Sequence, residues 1–379
     1  MTRPSEPTVA PASVQHVTLP SGTLTLEVES GTRAVGELLD FAVRRNPRRG
    51  FLLVSLVLGK HVPVRPQTAQ QTWDDLAAMI GDLTQPHFIG LAETATALGE
   101  GVARAWSVRH PTRPMTYQHS TRYATAAPLL LTFEEPHSHA PAHLLYDPGP
   151  GARAARELVL IDDEISTGTT LLGLARAWHE RHPHLERVIL VSLADWCADR
   201  AALTAALEVP VHPVSLLRGH HTFTPDPAWR PPQLPAVTGT GTDKSSVLAP
   251  HSARLGHHVD VDAHLITALA ESCLSHSRPV LVLGTGEYQF PAAQLALGLE
   301  ARGLDTRWSA TTRSPVLPGL AITRAIEFTD NVRDGIPNYL YNVDPSAYSA
   351  VFVCYEGRCA PDPTLLAQLG PQARAVRLT

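Results

Sequence analysis

E-L-V-L-I-D-D-E-I-S-T-G-T-T, residues Glu157 to Thr170, is the stretch from which the rest of the chain can be interpreted. Leu158, Val159, Leu160 and Ile161 form a short apolar run with the length and flanks of a buried parallel strand. Asp162 and Asp163 follow at once. A hydroxyl-rich loop around Gly168 comes next, and then Leu171, Leu172, Leu174, Ala175 and Trp178 spaced along one helical face. Helix starts carry unpaired N–H groups and partial positive charge, which suits Ser166, Thr167, Gly168, Thr169 and Thr170 to wrapping a phosphate. Adjacent carboxylates at a strand's end are poor phosphate ligands but good acceptors for a pair of sugar hydroxyls. The combination describes a pocket for a ribose 5-phosphate, against the plainer reading of a strand-to-helix turn with a solvated acid pair. It is not a Walker loop, which needs a lysine that this stretch lacks.

At these residues the sequence resembles the type I phosphoribosyltransferases, of the orotate phosphoribosyltransferase-like kind. Their signature is an apolar strand, two acids and a Thr/Gly-rich loop that holds phosphoribosyl pyrophosphate (PRPP). The resemblance implies an α/β fold with a parallel sheet flanked by helices. It also implies PRPP as co-substrate and Mg2+ bound largely through substrate oxygens, with Asp162 and Asp163 helping. One position departs from the pattern: the residue after the acid pair is often apolar in that family and is Glu164 here, either repelling phosphate or serving as a base.

With 379 residues the chain is too long for one average domain, so two are expected. A net charge of −5 argues against a broad nucleic-acid footprint. The second half has no dense Lys/Arg run, which lowers an RNA-binding reading further. Cys197, Cys273, Cys354 and Cys359 show no C-x-x-C pairing and no zinc-ligand grouping, so free thiols in a reducing cytosol are expected. There is no apolar signal core at the start and no run of eighteen apolar residues, which predicts a soluble cytoplasmic protein. Its partners would be small-molecule substrates, with no membrane or nucleic acid, and a homodimer is compatible with the reading.

Residues 1–16 are expected as a loose tail, 17–223 as the phosphoribosyltransferase domain, 224–246 as a Pro/Gly-rich linker and 247–379 as a second α/β domain. Val17 to Val28 alternates like a strand, Ala34 to Arg45 has helical spacing, and a basic turn with Arg44, Arg45, Arg48 and Arg49 leads to a strand over Phe51 to Leu58. That strand ends in Gly59, Lys60 and His61. In the resembled family the loop here holds pyrophosphate, so Lys60 is a leaving-group contact or a plain surface lysine. A helix is predicted over Trp73 to Ile80, a strand over His87 to Leu91 and a helix from Ala92 to Trp106. Glu93, Thr94 and Thr96 then lie under the pyrophosphate and ribose, unless Thr94 or Thr96 merely caps the helix.

Residues 111 to 150 form a long polar stretch where the resembled enzymes carry a closing loop. Arg113, His119, Ser120, Arg122, Glu134, Glu135, His137 and His139 are its candidates for pyrophosphate or magnesium contact. His137, His139 and His143 also admit a transition-metal or a surface reading. Arg187 to Leu193 is a buried strand followed by Asp195 and Trp196, which face the base in the resembled fold or else belong to the core. Val209 to Leu217 is a further strand, with Arg218 to His221 closing the domain.

In the second half a helix is predicted from Asp262 to Leu274. Pro279 to Phe290 reads as a strand breaking into a glycine turn, followed by a helix over Ala292 to Arg302. Gly284 and Gly286 suggest a Rossmann-like turn, but Gln289 stands where a dinucleotide fingerprint needs glycine. Thr312, Arg313 and Ser314, after a strand over Asp305 to Ala310, form with these glycines a candidate anion site. The T-R-S-P, G-T-G-E and D-G-I-P-N-Y-L-Y-N runs resemble a domain that follows one phosphoribosyltransferase branch, in bacterial tellurite-resistance and stress gene clusters. What this resemblance implies is a phosphoribosyl transfer that makes a nucleoside-like metabolite. In it Asp162 and Asp163 would hold ribose hydroxyls, residues 166 to 170 the phosphate, and Lys60 the leaving group. The rival is a PRPP or nucleotide sensor without turnover.

Overall fold

The computed structural model describes residues 12–44, 49–134, 142–230, 232, 241–275 and 277–378. The alternation near Val17 is a hairpin, β1 (Ser13–Leu19) and β2 (Gly22–Gly31). The helix expected over 34–45 is a correction. Only α1 (Val35–Leu38) is helical, and Leu39–Arg44 is a strand, β3, paired with β4 (Phe51–Ser55). Here tertiary pairing overrides a short local pattern.

The chain continues through α2 (Pro66–Ile80), β5 (Pro86–Gly90), α3 (Ala95–Arg109) and β6 (Thr116–His119). The hairpin β7 (Leu129–Glu134) and β8 (Ala142–Tyr146) and the short α4 (Pro150–Arg153) follow. Then come β9 (Glu157–Ile161), β10 (Glu164–Ile165), α5 (Thr169–Arg181), β11 (Arg187–Asp195), α6 (Arg200–Thr204) and β12 (Val211–Pro225). The main sheet has the order β1-β2-β12-β11-β9-β5-β6, with β10 beside β11. From β12 to β6 every pairing is parallel, and β1 and β2 add an antiparallel edge. The expected α/β architecture is therefore present, with β9 at the centre of its parallel strands and entirely buried. Arg218 to His221 do not end the strand but lie inside β12, which runs on against β2.

The 111–150 stretch is not one closing loop in its described residues. β6 joins the sheet, and Leu131, Phe133 and Leu145 of the hairpin are buried in the cluster that also holds Trp178 of α5.

The second half contributes α7 (Ala263–Glu271), β13 (Val280–Gly284), α8 (Phe290–Glu300), β14 (Thr306–Ala310) and β15 (Val316–Leu317). After these come β16 (Ala325–Thr329), β17 (Pro337–Tyr341), β18 (Ala350–Tyr355), α9 (Pro363–Leu369) and β19 (Ala373–Arg377). Its sheet is parallel in the order β14-β13-β18-β19. The two halves share one core, in which Trp73 of α2 lies 5.6 Å from the ring of Phe290 and 6.4 Å from that of Trp308. β15 extends the β3–β4 pair, and Val64 exchanges backbone hydrogen bonds with Trp308.

Candidate active site

β9 ends inside the sheet, so the residues after it emerge on the side where the parallel strands terminate. Asp162 N–H still bonds Val191 O of β11, which fixes the acid pair at the rim. Gly168 occupies the turn into α5 with φ +72°, and a Cβ there would lie 2.3 Å from Leu203 Cδ1. The position therefore needs glycine on conformational grounds, the one close contact being with the far end of a flexible side chain. Thr167 and Thr169 share a hydroxyl hydrogen bond at 2.9 Å, leaving the start of α5 as an N–H-rich edge.

The loop after β4 lines the same cleft of about 330 Å³ as this edge. Lys60 is buried and donates to Thr94 Oγ1 at 2.5 Å, with Glu93 Oε2 3.8 Å away. Thr94 makes no capping bond to α3 and Thr96 bonds Glu93 O, so neither hydroxyl caps the helix as expected. Gly59 adopts φ +67°, and a Cβ on it would come within 2.9 Å of the Trp308 ring. Its carbonyl accepts from Ala310 N and Ser309 Oγ. The Lys60 loop is thus built directly on β14.

The second half reaches further in. Glu93 Oε2 accepts from Thr312 Oγ1 at 3.0 Å and from Arg313 N at 3.3 Å. Arg313 lies over the Tyr123 ring at 4.8 Å and, with Ser314, lines the cleft. Glu287 accepts from Thr121 Oγ1 and Arg122 N. Arg44, Arg49, Arg122, Leu52, Leu53, Tyr123 and His143 complete the walls.

The electrostatics follow from this enclosure. Burial and the neighbouring Glu164 hold the Asp163 carboxyl above the usual carboxylate range, against the pull of Lys60. Glu164 itself is ion-paired with Arg49, which compensates the extra carboxylate next to the acid pair. Burial, with Lys60 and Arg44 adding, pushes His61 down to about 3, so it lines the cleft as a neutral imidazole with Nε2 making no hydrogen bond. Burial also pushes Glu287 up, opposed chiefly by Arg254.

Of the residues expected from the sequence, Lys60, His61, Glu93, Thr94, Arg122, Asp162, Asp163 and 166–170 meet in this cleft, together with Arg313 and Ser314. Gly59 supports it from behind. Arg113 does not join them; it pairs with Asp82 at an exposed site where β6 begins. His119 is buried behind the cleft beside Arg254, its ring lowered to about 4 by burial and by that guanidinium. Asp195 is fully buried, binds Arg200 at 2.9 Å and accepts from Cys197 N, while Trp196 is core beside His221. Neither lines the cleft, so the base-facing reading gives way to a structural one. Gly286 and Thr312 pack between the halves and Gly284 packs against the start of α8 within the second half, so of the anion-site residues expected there only Arg313 and Ser314 line the cleft. Glu135, His137 and His139 lie outside the described residues, as does the side chain of Glu134. His143 bonds Ser120 Oγ and stacks on Phe133.

Tyr123 and Glu287 were not singled out by the sequence reading. Glu287 had a signal in the G-T-G-E turn, an acid directly after a glycine-bearing strand end; Tyr123 had none. Asp162 and Asp163 present hard carboxylate oxygens of the kind magnesium takes. Among the described residues no group of three or more His, Cys, Asp or Glu is assembled. Two carboxylates without a cage suit an ion that draws most of its ligands from substrate oxygens.

Residues 38–220 match the family model described as phosphoribosyl transferase, and residues 249–369 match the one described as TRSP domain C terminus to PRTase_2. No curated protein matches the chain. Among solved structures, adenine phosphoribosyl transferase from Trypanosoma brucei, in complex with AMP, pyrophosphate and ribose-5-phosphate, is 14% identical. That likeness covers 48% of this chain and 77% of the other, with a TM-score of 0.35. The Giardia lamblia APRTase, complexed with 9-deazaadenine, is 15% identical over 49% of this chain and 96% of its own, also at 0.35. Orotate phosphoribosyltransferase from Aeropyrum pernix is 17% identical over 48% and 89%, at 0.29. No helix among the described residues is long and apolar enough to cross a membrane.

Proposed function

The chain being a phosphoribosyl transferase family domain followed by a TRSP domain, we propose that its cleft transfers a 5-phosphoribosyl group from PRPP to a nitrogen of a base-like acceptor and releases pyrophosphate. The observation that carries this reading is the gathering, in one cleft, of the Asp162–Asp163 pair, the 166–170 loop and the buried Lys60.

The sugar C1–oxygen bond to pyrophosphate breaks as the C1–nitrogen bond forms, and the acceptor's N–H proton is lost to solvent. Positive charge grows on the sugar and negative charge on the leaving group, so fixed electrostatics does more here than a covalent nucleophile. Loop 166–170 holds the 5-phosphate at the start of α5 and Asp162 and Asp163 accept from the ribose hydroxyls. Their carboxylates also face the developing sugar cation. Lys60, kept in place by Thr94 and Glu93, neutralises departing pyrophosphate. Magnesium, when bound, would be held by Asp162 and Asp163 and would supply further charge neutralisation of the diphosphate. A nucleoside-like product in a tellurite-resistance or stress pathway is the role that the resemblance of the TRSP half suggests.

The test is pyrophosphate release from PRPP with a panel of purine, pyrimidine and other nitrogen acceptors. Release dependent on one acceptor is the expected result. PRPP binding at micromolar affinity with no release for any acceptor would instead favour a sensor.

A further inference from the structure

The C-terminal sheet carries a crevice of the kind that parallel α/β folds use for ligands. β13 lies between β14 and β18, so the chain leaves it to one side first and returns later to the other, and the strand ends there form a switch point. In this protein the N-terminal domain fills that crevice. A Cβ on Gly286 would lie 2.7 Å from Tyr123 Oη, and Glu287 is taken up by the Thr121 hydroxyl and the Arg122 N–H. The crevice has no room for a ligand of its own, and what it still offers, Arg313 and Ser314 after β14, opens into the cleft of Lys60 and Asp163.

Resting on the phosphoribosyl reading above, we infer that the TRSP domain is part of that active site and that Arg313 binds the pyrophosphate group. Three observations place it at the leaving-group end. Its backbone N–H and Lys60 Nζ approach the same oxygen, Glu93 Oε2. Its guanidinium lies over the Tyr123 ring at 4.8 Å, with the carboxylates of Glu93, Glu287 and Asp334 acting on it. Arg313 Nη2 is buried, makes no hydrogen bond and stands 3.6 Å from Asp334, beyond hydrogen-bond distance, so this donor still lacks an acceptor. A planar fork suits a diphosphate better than a point charge does, and with Lys60 it sets two cations against the group that gains charge.

The experiment titrates the full-length protein, with magnesium present, by calorimetry against inorganic pyrophosphate and separately against ribose 5-phosphate. Arg313→Gln is expected to weaken pyrophosphate about tenfold or more while ribose 5-phosphate stays within about twofold. Arg313→Lys should recover part of the loss, and Arg324→Gln, an exposed cation of the same domain, should change neither. Pyrophosphate affinity unchanged in Arg313→Gln, or both ligands lost in parallel from Arg313→Lys, would overturn the inference. Wild type that binds neither probe would sink the phosphoribosyl reading itself.

Discussion

Gly59→Ala measures how far the TRSP domain fixes the Lys60 loop. The substitution asks a residue with a Cβ to hold φ +67°, which costs about 1–2 kcal/mol. It also drives that Cβ to 2.9 Å from Trp308, a ring with no exposed surface in the shared core, and overpacking of this sort costs about 1–3 kcal/mol. The stiffer unfolded chain returns about 0.4–1 kcal/mol, leaving a net loss of about 1–5 kcal/mol. Gly168→Ala supplies the comparison: its φ of +72° carries the same backbone cost, but its close neighbour is the far end of Leu203, which can swing aside. With the same return from the unfolded chain, a net loss of about 0–2 kcal/mol is expected there. Urea unfolding followed by tryptophan emission reads both, since Trp73 and Trp308 sit at the junction. Pyrophosphate titration should show Gly59→Ala weakened, and ribose 5-phosphate titration should show Gly168→Ala weakened. A Gly59→Ala protein no less stable than Gly168→Ala, with wild-type pyrophosphate affinity, would refute the idea that β14 braces the loop.

The double variant Asp162→Asn, Asp163→Asn should abolish turnover while its melting temperature stays within about a few degrees, because the pair lines an open cleft and carries little of the core. Surviving turnover would place the ribose elsewhere. His61 and His87, each held near 3, and His119, near 4, are all kept neutral by burial while an unfolded chain would protonate them near 6.5. Unfolded protein therefore binds more protons in the window from about 6.5 down to 4, and each histidine removes about 1.4 kcal/mol of stability per pH unit on acidification through it. Asp163 works with the opposite sign, since its raised carboxyl keeps its proton longer in the folded state. Replacing His87, which is not among the residues lining the cleft, by Gln should flatten the pH dependence of the unfolding midpoint; an unchanged slope would show that His87 does not titrate in this way.

The strand, acid pair and loop from Glu157 to Thr170 were legible because each part is local: an apolar run, two carboxylates and a glycine whose conformation no other residue fills. Lys60 was legible for the same reason, as a glycine and cation at a strand end. β3 was not. Leu39 to Arg44 can follow either period, and what decides is pairing with β4 and with Val316–Leu317 far along the chain. Asp195 and Trp196 stand at the expected strand end, yet Arg200 draws the carboxylate inward and His221 covers the indole. Arg313 stood out as a candidate anion ligand, but its partner did not, since nothing in T-R-S-P says that Glu93 will meet it.

The Pro/Gly-rich stretch between the domains suggests two bodies on a tether, and the packing argues against that picture. Composition reports how stiff a connection is, whereas independence depends on what the connected surfaces bury. Here the connection itself ends in structure: Lys244, nearly inaccessible, pairs with Asp334 at 2.5 Å, and Ser245 Oγ accepts from Ala126 N. Asp334 in turn lies beside Arg313. A continuous set of contacts therefore runs from the connection, through Asp334 and Arg313, to Glu93 and Lys60. Any loosening of the TRSP domain would release Glu93 and uncover Trp73 and Trp308 together. Site geometry and core packing in this protein are consequently one property of both domains, and a change at their junction should be felt first at the Lys60 end of the cleft.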